Sequence, residues 1–127
     1  MATKERIKAI IRCEQRKQGP AVSCLKGYKA SARKVRVLAN LIRGKYVKDA
    51  CDILQVQVRS SAEVINKVLK SAISNAKNKG LDPTRLIILE VNVNSGPIVK
   101  RFMPVSKGRA VTIRKRSSHI SFKLVEA

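Results

Sequence analysis

The stretch RLIILEVNVNSGPIVKRFMPVSKGRAVTIRKRSSHISFKLV, residues 85–125, has an apolar run at each end and a basic segment between them. The first run, Arg85 to Val93, is short and rich in Leu, Ile and Val, which favours a strand over a helix. The second run alternates apolar and polar side chains, with Ile120, Phe122 and Leu124 at every other position. A period of two is typical of a strand with one buried face. The pattern therefore predicts two strands joined by a long connection.

The connection between the two runs contains Gly96, Pro97, Pro104 and Gly108 and shows no helical period. We interpret it as a long β-hairpin spanning about residues 96–118. A turn near Ser106 and Lys107 sets an antiparallel register that matches apolar partners across the ladder. The expected pairs are Val93 with Ile120, Val91 with Phe122, and Leu89 with Leu124.

This hairpin is strongly basic, because no acidic residue occurs from Val91 to Val125. A two-stranded ribbon is only marginally stable in water, so something must surround it. The density of positive charge favours RNA. A mobile loop and a dimerisation arm are the alternative interpretations of the same segment.

Three helices are predicted before the hairpin. In the first, Ser31 is the expected N-cap, Gly44 the stop, and the apolar positions share one face: Val35, Leu38, Ala39 and Ile42. The opposite and flanking positions carry Arg33, Lys34, Arg36 and Arg43, which predicts a basic helix face. The second covers Val47 to Gln55, with Ala50, Ile53 and Leu54 facing inward. The third begins at Ser60, which with Glu63 has the spacing of a capping box, and it ends at Asn78 and Gly80. Together with the strands this predicts an α+β fold, a small antiparallel sheet packed against three helices with a long protruding β-hairpin.

The length of 127 residues suits one domain, which we place at 21–127, preceded by a basic N-terminal extension at 1–20. In the extension, Ile7, Ile10 and Ile11 have the spacing of one face of a short helix. The composition, 28 Lys and Arg against 8 Asp and Glu, gives a formal net charge of +20. Nucleic acid is the expected neutraliser. A membrane surface is the weaker alternative, and no membrane partner is predicted.

The residue inventory argues against an enzyme. His119 is the one histidine, the three cysteines lack metal-ligand spacing, and no phosphate-binding loop motif is present. We therefore predict no catalytic residue, no metal and no cofactor. Aromatic residues make up only 3% of the chain, which favours recognition of the RNA backbone over base stacking.

Two segments resemble a known family. The stretch ASARKVRVLANLIRGK, residues 30–45, looks like the first-helix signature of the bacterial-type ribosomal protein L22 family of the large subunit. The hairpin of that family is similar to Gly96-Pro97 through Lys100-Arg101, Met103-Pro104, Lys107-Gly108-Arg109-Ala110 and Ser118-His119-Ile120. The resemblance covers about residues 22–125. Val105, Ser106 and Val111 depart from its pattern.

The resemblance implies a structural constituent of the ribosomal large subunit that binds rRNA and supports subunit assembly, with a hairpin that lines the polypeptide exit tunnel. The implied rRNA-binding residues are Ser31, Arg33, Lys34, Arg36, Lys100, Arg101, Lys107, Arg109, Arg114, Lys115, Arg116 and His119. The implied tip residues are Val99, Lys100, Arg101, Met103, Pro104, Lys107, Gly108 and Arg109.

The implied partners are large-subunit rRNA, neighbouring ribosomal proteins and the nascent polypeptide near the tip, and no homo-oligomer is expected. The implied location is the ribosome, in the cytoplasm of a bacterium or alternatively in an organelle. A free RNA-binding module, such as an RNA chaperone with a mobile arm, is the competing hypothesis. Selective binding of large-subunit rRNA fragments distinguishes the two.

Overall fold

A computed structural model describes Glu5, Arg6, Lys8, Ala9, Arg12 and residues 19–127. The sheet contains β1 (Ala21–Tyr28), β2 (Leu86–Val105) and β3 (Arg109–Glu126). Between β1 and β2 lie α1 (Ala32–Ile42), α2 (Val47–Val56) and α3 (Ser60–Asn78). The predicted helical face formed by Ile7, Ile10 and Ile11 lies outside the described residues.

The sheet is antiparallel, with β3 in the centre between β1 and β2. Strands β2 and β3 form one hairpin that starts in the sheet and continues well beyond it. One sheet face packs against the helices around Phe122, Ile120 and Leu124, which are fully buried. The predicted α+β fold, with three helices, a small antiparallel sheet and a long hairpin, is confirmed.

The first two helices follow the predicted stripes. Ser31 is the N-cap of α1, although its hydroxyl makes no capping hydrogen bond, and the predicted apolar face of this helix is buried. Gly44 ends the helical segment with a φ of 74°, a left-handed conformation that glycine adopts without strain. In α2, Ala50 and Leu54 are buried, and Ile53 packs against the core while partly exposed.

The predicted capping box of the third helix is wrong. Arg59 is the N-cap of α3, Ser60 is already helical, and no side chain caps this end. Glu63 instead forms an ion pair of 3.0 Å with Lys67, one helical turn further on. The helix does begin at Ser60, but because its N-cap is Arg59, Ser60 is one position too far into the helix to act as the cap.

The predicted strand register is confirmed for two of its three pairs. Val93 lies opposite Ile120 and Val91 opposite Phe122, whereas Leu124 faces Ile88 and not Leu89. A β-bulge between Ile88 and Glu90 leaves Leu89 unpaired with 54% of its surface exposed. The run of four apolar residues at 86–89 shows no alternation of apolar and polar side chains. The sequence therefore could not indicate the position at which the bulge shifts the alternation of inward and outward side chains.

The outer edge of β2 is covered where it borders the core. The guanidinium groups of Arg36 and Arg43 donate hydrogen bonds of 3.0 Å to the carbonyl oxygens of Val93 and Val91. Ile88 is bonded through both its backbone groups, accepting from Gly44 N–H and donating to Lys45 C=O. These contacts hold α1 against the sheet and provide hydrogen-bond partners for backbone groups of the edge strand that would otherwise have none in the sheet. Within the described residues, no helix is long and apolar enough to cross a membrane.

Candidate nucleic-acid interface

Beyond the sheet, the hairpin is a two-stranded ribbon in which every residue from Pro97 to Arg116 is exposed. The ladder runs unbroken from the pair of Ile98 and Arg116 to the pair of Val105 and Arg109. The turn lies where it was predicted, and its residues Lys107 and Gly108 have φ values of 63° and 70°. Seven of the predicted rRNA-binding cations lie on this ribbon: Lys100, Arg101, Lys107, Arg109, Arg114, Lys115 and Arg116.

The pairing register places like charges side by side. Lys100 lies directly opposite Arg114, and side chains opposite each other in a ladder project from the same face. A facing pair of cations destabilises the ribbon unless an anion lies between or over them. The other face of the ribbon carries most of its aliphatic side chains, namely Val99, Met103, Val105, Val111 and Ile113. Arg101, Arg109 and Lys115 project from that same face, so both faces of the ribbon carry cations.

No carboxylate in the described part of the chain forms an ion pair with these cations. Within the described part of the chain the ion pairs are Lys67 with Glu63 and Lys123 with Glu90 at 2.8 Å, both away from the ribbon. The hydrogen bond from Lys123, together with its positive charge, lowers the pKa of the Glu90 carboxyl. The described residues also contain no group of three or more His, Cys, Asp or Glu side chains that could hold a metal ion.

At the base of the ribbon the two strands pack closely around Gly96. A Cβ built on Gly96 would lie 2.5 Å from Ser117 Oγ and 3.2 Å from His119 Nε2. The Ser117 hydroxyl donates a hydrogen bond of 2.7 Å to Pro97 C=O, across a break in the register between Ser95 and Ile98. This contact fixes the point where the ribbon leaves the sheet.

His119 belongs to the sheet and not to the exposed ribbon. Its Nδ1 accepts a hydrogen bond of 3.0 Å from the backbone N–H of Gly27, which ties the end of β1 to β3. The ring is partly buried. This bond gives His119 a structural role, and its predicted contact with rRNA stays a prediction.

The helix side of the predicted site is formed by the start of α1. Arg33 and Lys34 are exposed there, Ser31 is partly buried, and Arg36 is held by its bond to β2. The structure therefore separates two kinds of predicted cation. Arg33 and Lys34 have side chains directed at solvent, whereas part of the Arg36 guanidinium is already used within the fold.

The start of α1 and the base of the ribbon face each other across two grooves. The larger has a volume of about 770 Å³, and its lining includes Lys29, Arg101 and Lys115. The smaller, of about 220 Å³, includes Arg33, Arg36 and Gly96. Both grooves are also lined by Ser31, Arg116 and Ser117, so they lie next to each other. The sequence predictions did not include Lys29, and they did not indicate that the two predicted surfaces meet here.

The meeting point brings together two acid-free parts of the chain. No Asp or Glu occurs from Gln15 to Lys48, and none occurs from Val91 to Val125. All residues lining the two grooves come from these two segments. The result is a continuous cationic surface that runs from α1 to the tip of the ribbon. Such a surface is the electrostatic footprint of a nucleic-acid-binding protein.

Comparisons with known proteins show which family the chain belongs to. The family model described as Ribosomal protein L22p/L17e matches residues 23–125. A protein of Clostridium acetobutylicum is 48% identical over 102 residues, covering 80% of this chain and 92% of that protein. Proteins of Lawsonia intracellularis and Pediococcus pentosaceus are 49% and 47% identical, covering 82% and 84% of this chain and 94% and 91% of their own lengths. All three are named large ribosomal subunit protein uL22. The chain belongs to the ribosomal protein L22p/L17e family, whose members are structural components of the ribosome and not enzymes.

Proposed function

We propose that this protein is a structural constituent of the large ribosomal subunit that binds rRNA and supports assembly of the subunit. The names of its relatives support the choice of subunit. The main support for rRNA binding is the exposed ribbon. In it Lys100 lies opposite Arg114, and the ribbon has no carboxylate to neutralise them. A ribbon of this kind needs a polyanion around it.

The mechanism of binding is neutralisation of phosphates by arginine and lysine side chains. Each contact releases counterions condensed on the RNA, and the sum of these releases provides most of the affinity. The guanidinium group of an arginine can donate two parallel hydrogen bonds to a phosphate, which fixes the position and orientation of the protein on the RNA. Because aromatic side chains are scarce, the protein recognises backbone shape more than base identity.

The ribbon is proposed to line the polypeptide exit tunnel. A two-stranded ribbon whose faces are both exposed is only marginally stable in water, so we expect the subunit to enclose it. The tip around Met103, Pro104 and Gly108 would then lie near the nascent polypeptide. Neighbouring ribosomal proteins are the other proposed partners, and the proposed location is the ribosome, in the cytoplasm of a bacterium.

Crosslinking of the protein in ribosomes, followed by mapping of the attached nucleotides, tests this function. Photoreactive groups at Lys100, Arg101 and Lys107 should attach to large-subunit rRNA that surrounds the exit tunnel. The same group at Lys77, which is exposed on α3, is the control for labelling by proximity to any RNA. Dispersed attachment of the ribbon to unrelated RNAs would instead support a free RNA-binding module.

A further inference from the structure

The two adjoining grooves at the base of the ribbon form one site, with a feature that the general RNA-binding function does not require. Its two walls belong to different elements: Lys29, Ser31 and Arg33 on one side, and the β2–β3 ribbon on the other. Cations from both walls therefore face a shared space. An extended basic surface could bind RNA without any such enclosure.

We propose that this groove is a clamp that holds one RNA phosphodiester backbone between the start of α1 and the base of the ribbon. The proposal rests on the proposed RNA-binding function and deepens it by naming the place and the ligand group. Arg116 is the shared contact, because it lines both parts of the groove. Arg33 is its partner on the helix wall.

The chemistry of the groove fits a phosphate. Arg36 contributes a guanidinium already fixed by its bond to Val93 C=O, so little of its side-chain entropy remains to be lost on binding. Hydroxyl groups of Ser31 and Ser117 line the groove as further polar atoms, and the Ser31 hydroxyl makes no capping bond of its own. Neither wall carries a carboxylate that would repel the ligand or compete for the arginines.

The packing at the base keeps the walls at a fixed separation. Gly96 allows the strands to approach, Ser117 bonds to Pro97, and Gly27 bonds to His119. The last bond joins the end of β1, which leads into the helix wall, to the strand that carries Arg116. A site held open by its own scaffold binds with a smaller ordering cost than two independent basic segments.

A double-mutant cycle on RNA affinity tests the clamp. The proteins are the full chain with Arg33→Gln, Arg116→Gln and both, and the probe is a transcript of bacterial large-subunit rRNA. Each single change should lower affinity about tenfold, which is the usual effect of one charge-assisted contact. Because both arginines grip one backbone segment, the double variant should lose clearly less than the product of the single losses.

Two matched controls decide the outcome. Arg109 lies at the tip of the ribbon, so the cycle of Arg33→Gln with Arg109→Gln should be multiplicative. Arg85 is exposed and outside both grooves, and Arg85→Gln should change affinity much less than Arg116→Gln. Circular dichroism verifies that each variant keeps the helical signal.

Failure of the clamp and failure of the proposed function give different results. Multiplicative losses for Arg33 and Arg116, with rRNA still preferred over an unrelated transcript of equal length, would refute the clamp alone. Loss of that preference in the unchanged protein would refute the proposed function. The clamp is then judged by the same cycle on the unrelated transcript, where coupling supports it and its absence refutes it.

Discussion

At the scale of single residues, Gly96 shows how a small side chain can determine the geometry of a binding surface. Its φ is not in the left-handed region, so the requirement for glycine comes from space and not from backbone conformation. The nearest atom to a Cβ at this position would be Ser117 Oγ. The sequence placed Gly96 only within the hairpin and its family resemblance, because the residue that it packs against lies 21 positions away on another strand.

Replacement of Gly96 by alanine should destabilise the protein. The added methyl group overlaps Ser117 Oγ, and overpacking of this kind costs about 1–3 kcal/mol in the free energy of unfolding. Urea unfolding measures the loss. S117A removes the closest contact, so adding G96A to S117A should cost less stability than adding G96A to the wild type. Equal stability of wild type and G96A would contradict this packing.

The cysteines offer a second prediction at this scale. Cys24 is exposed on β1, whereas Cys51 is partly buried on α2. Burial raises the pKa of the Cys51 thiol, with Lys70 opposing and Asp52 adding to the shift. A raised pKa leaves less thiolate at neutral pH, so iodoacetamide should modify Cys51 more slowly than Cys24.

Peptide mapping by mass spectrometry after timed alkylation measures both rates. The protein should carry Cys13→Ser, because Cys13 lies outside the described residues. The unfolded protein in urea is the control, and there the two rates should approach each other. Faster modification of Cys51 than of Cys24 in the folded protein would show that α2 is not packed as described.

At the scale of elements, the junction of α1 with the edge of β2 depends on two arginines. The sequence predicted Arg36 and Arg43 as part of a basic helix face, with Arg36 among the rRNA-binding residues. The structure uses both to satisfy carbonyl groups of β2. Helical periodicity indicates which face of the helix a residue lies on, but not which atoms its side chain contacts. The hydrogen bonds of Arg36 and Arg43 to β2 could therefore not be predicted.

Methionine at either position should lower stability. It keeps the helix propensity and much of the length of arginine but cannot donate, leaving Val93 or Val91 C=O without its partner. We expect Arg36→Met and Arg43→Met each to reduce the free energy of unfolding by about 1–2 kcal/mol. The matched control is Arg33→Met on the exposed side of α1, which should change it by less than about 0.5 kcal/mol. Equal effects at all three positions would argue against the edge contacts.

The elements themselves were largely predictable, and the errors have physical causes. The apolar stripe of α1 and the alternation of β3 each permit one assignment only, and both were correct. Leu89 was misplaced because four consecutive apolar residues hide a bulge. The capping box at Ser60 failed because Arg59 is the N-cap, which makes Glu63 the fourth helical residue and not the third that a capping box requires.

At the scale of the whole molecule, the organising feature is the segregation of charge. Acidic residues of the described chain lie at Glu5 in the N-terminal extension, in α2, in α3, in the turn before β2, near the start of β2 and at the C-terminus, while the groove and the ribbon have none. The sequence indicated each cationic segment separately. Their convergence depends on the pairing of β1 with β3, between residues 90 to 103 positions apart, and was not predictable from local pattern.

Affinity for rRNA should therefore fall steeply with salt. The logarithm of the binding constant declines with the logarithm of salt concentration, with a slope that grows by about 0.7–0.9 for each phosphate neutralised. Seven cations of the ribbon alone predict a slope of several units. Titration with KCl in a filter-binding assay measures this slope. Lys77→Gln is the control variant, and its slope should equal that of the wild type. An affinity indifferent to salt would contradict an electrostatic mode of binding.

Removal of the ribbon should separate folding from binding. Every buried core residue lies outside 98–116, and Ser95 is paired with Ser118, so deletion of Ile98 to Arg116 leaves Gly96, Pro97 and Ser117 as a short loop between paired ends. The far-ultraviolet circular dichroism of the helices should persist with a cooperative thermal transition, because the helices contact the retained part of the sheet. Affinity for rRNA should drop, and its salt slope should become shallower by several units, because seven cations and the ribbon wall of the groove are lost together. Collapse of the helical signal on deletion would mean that the ribbon contributes to the core after all, whereas an unchanged salt slope would place the RNA contacts on the helices instead.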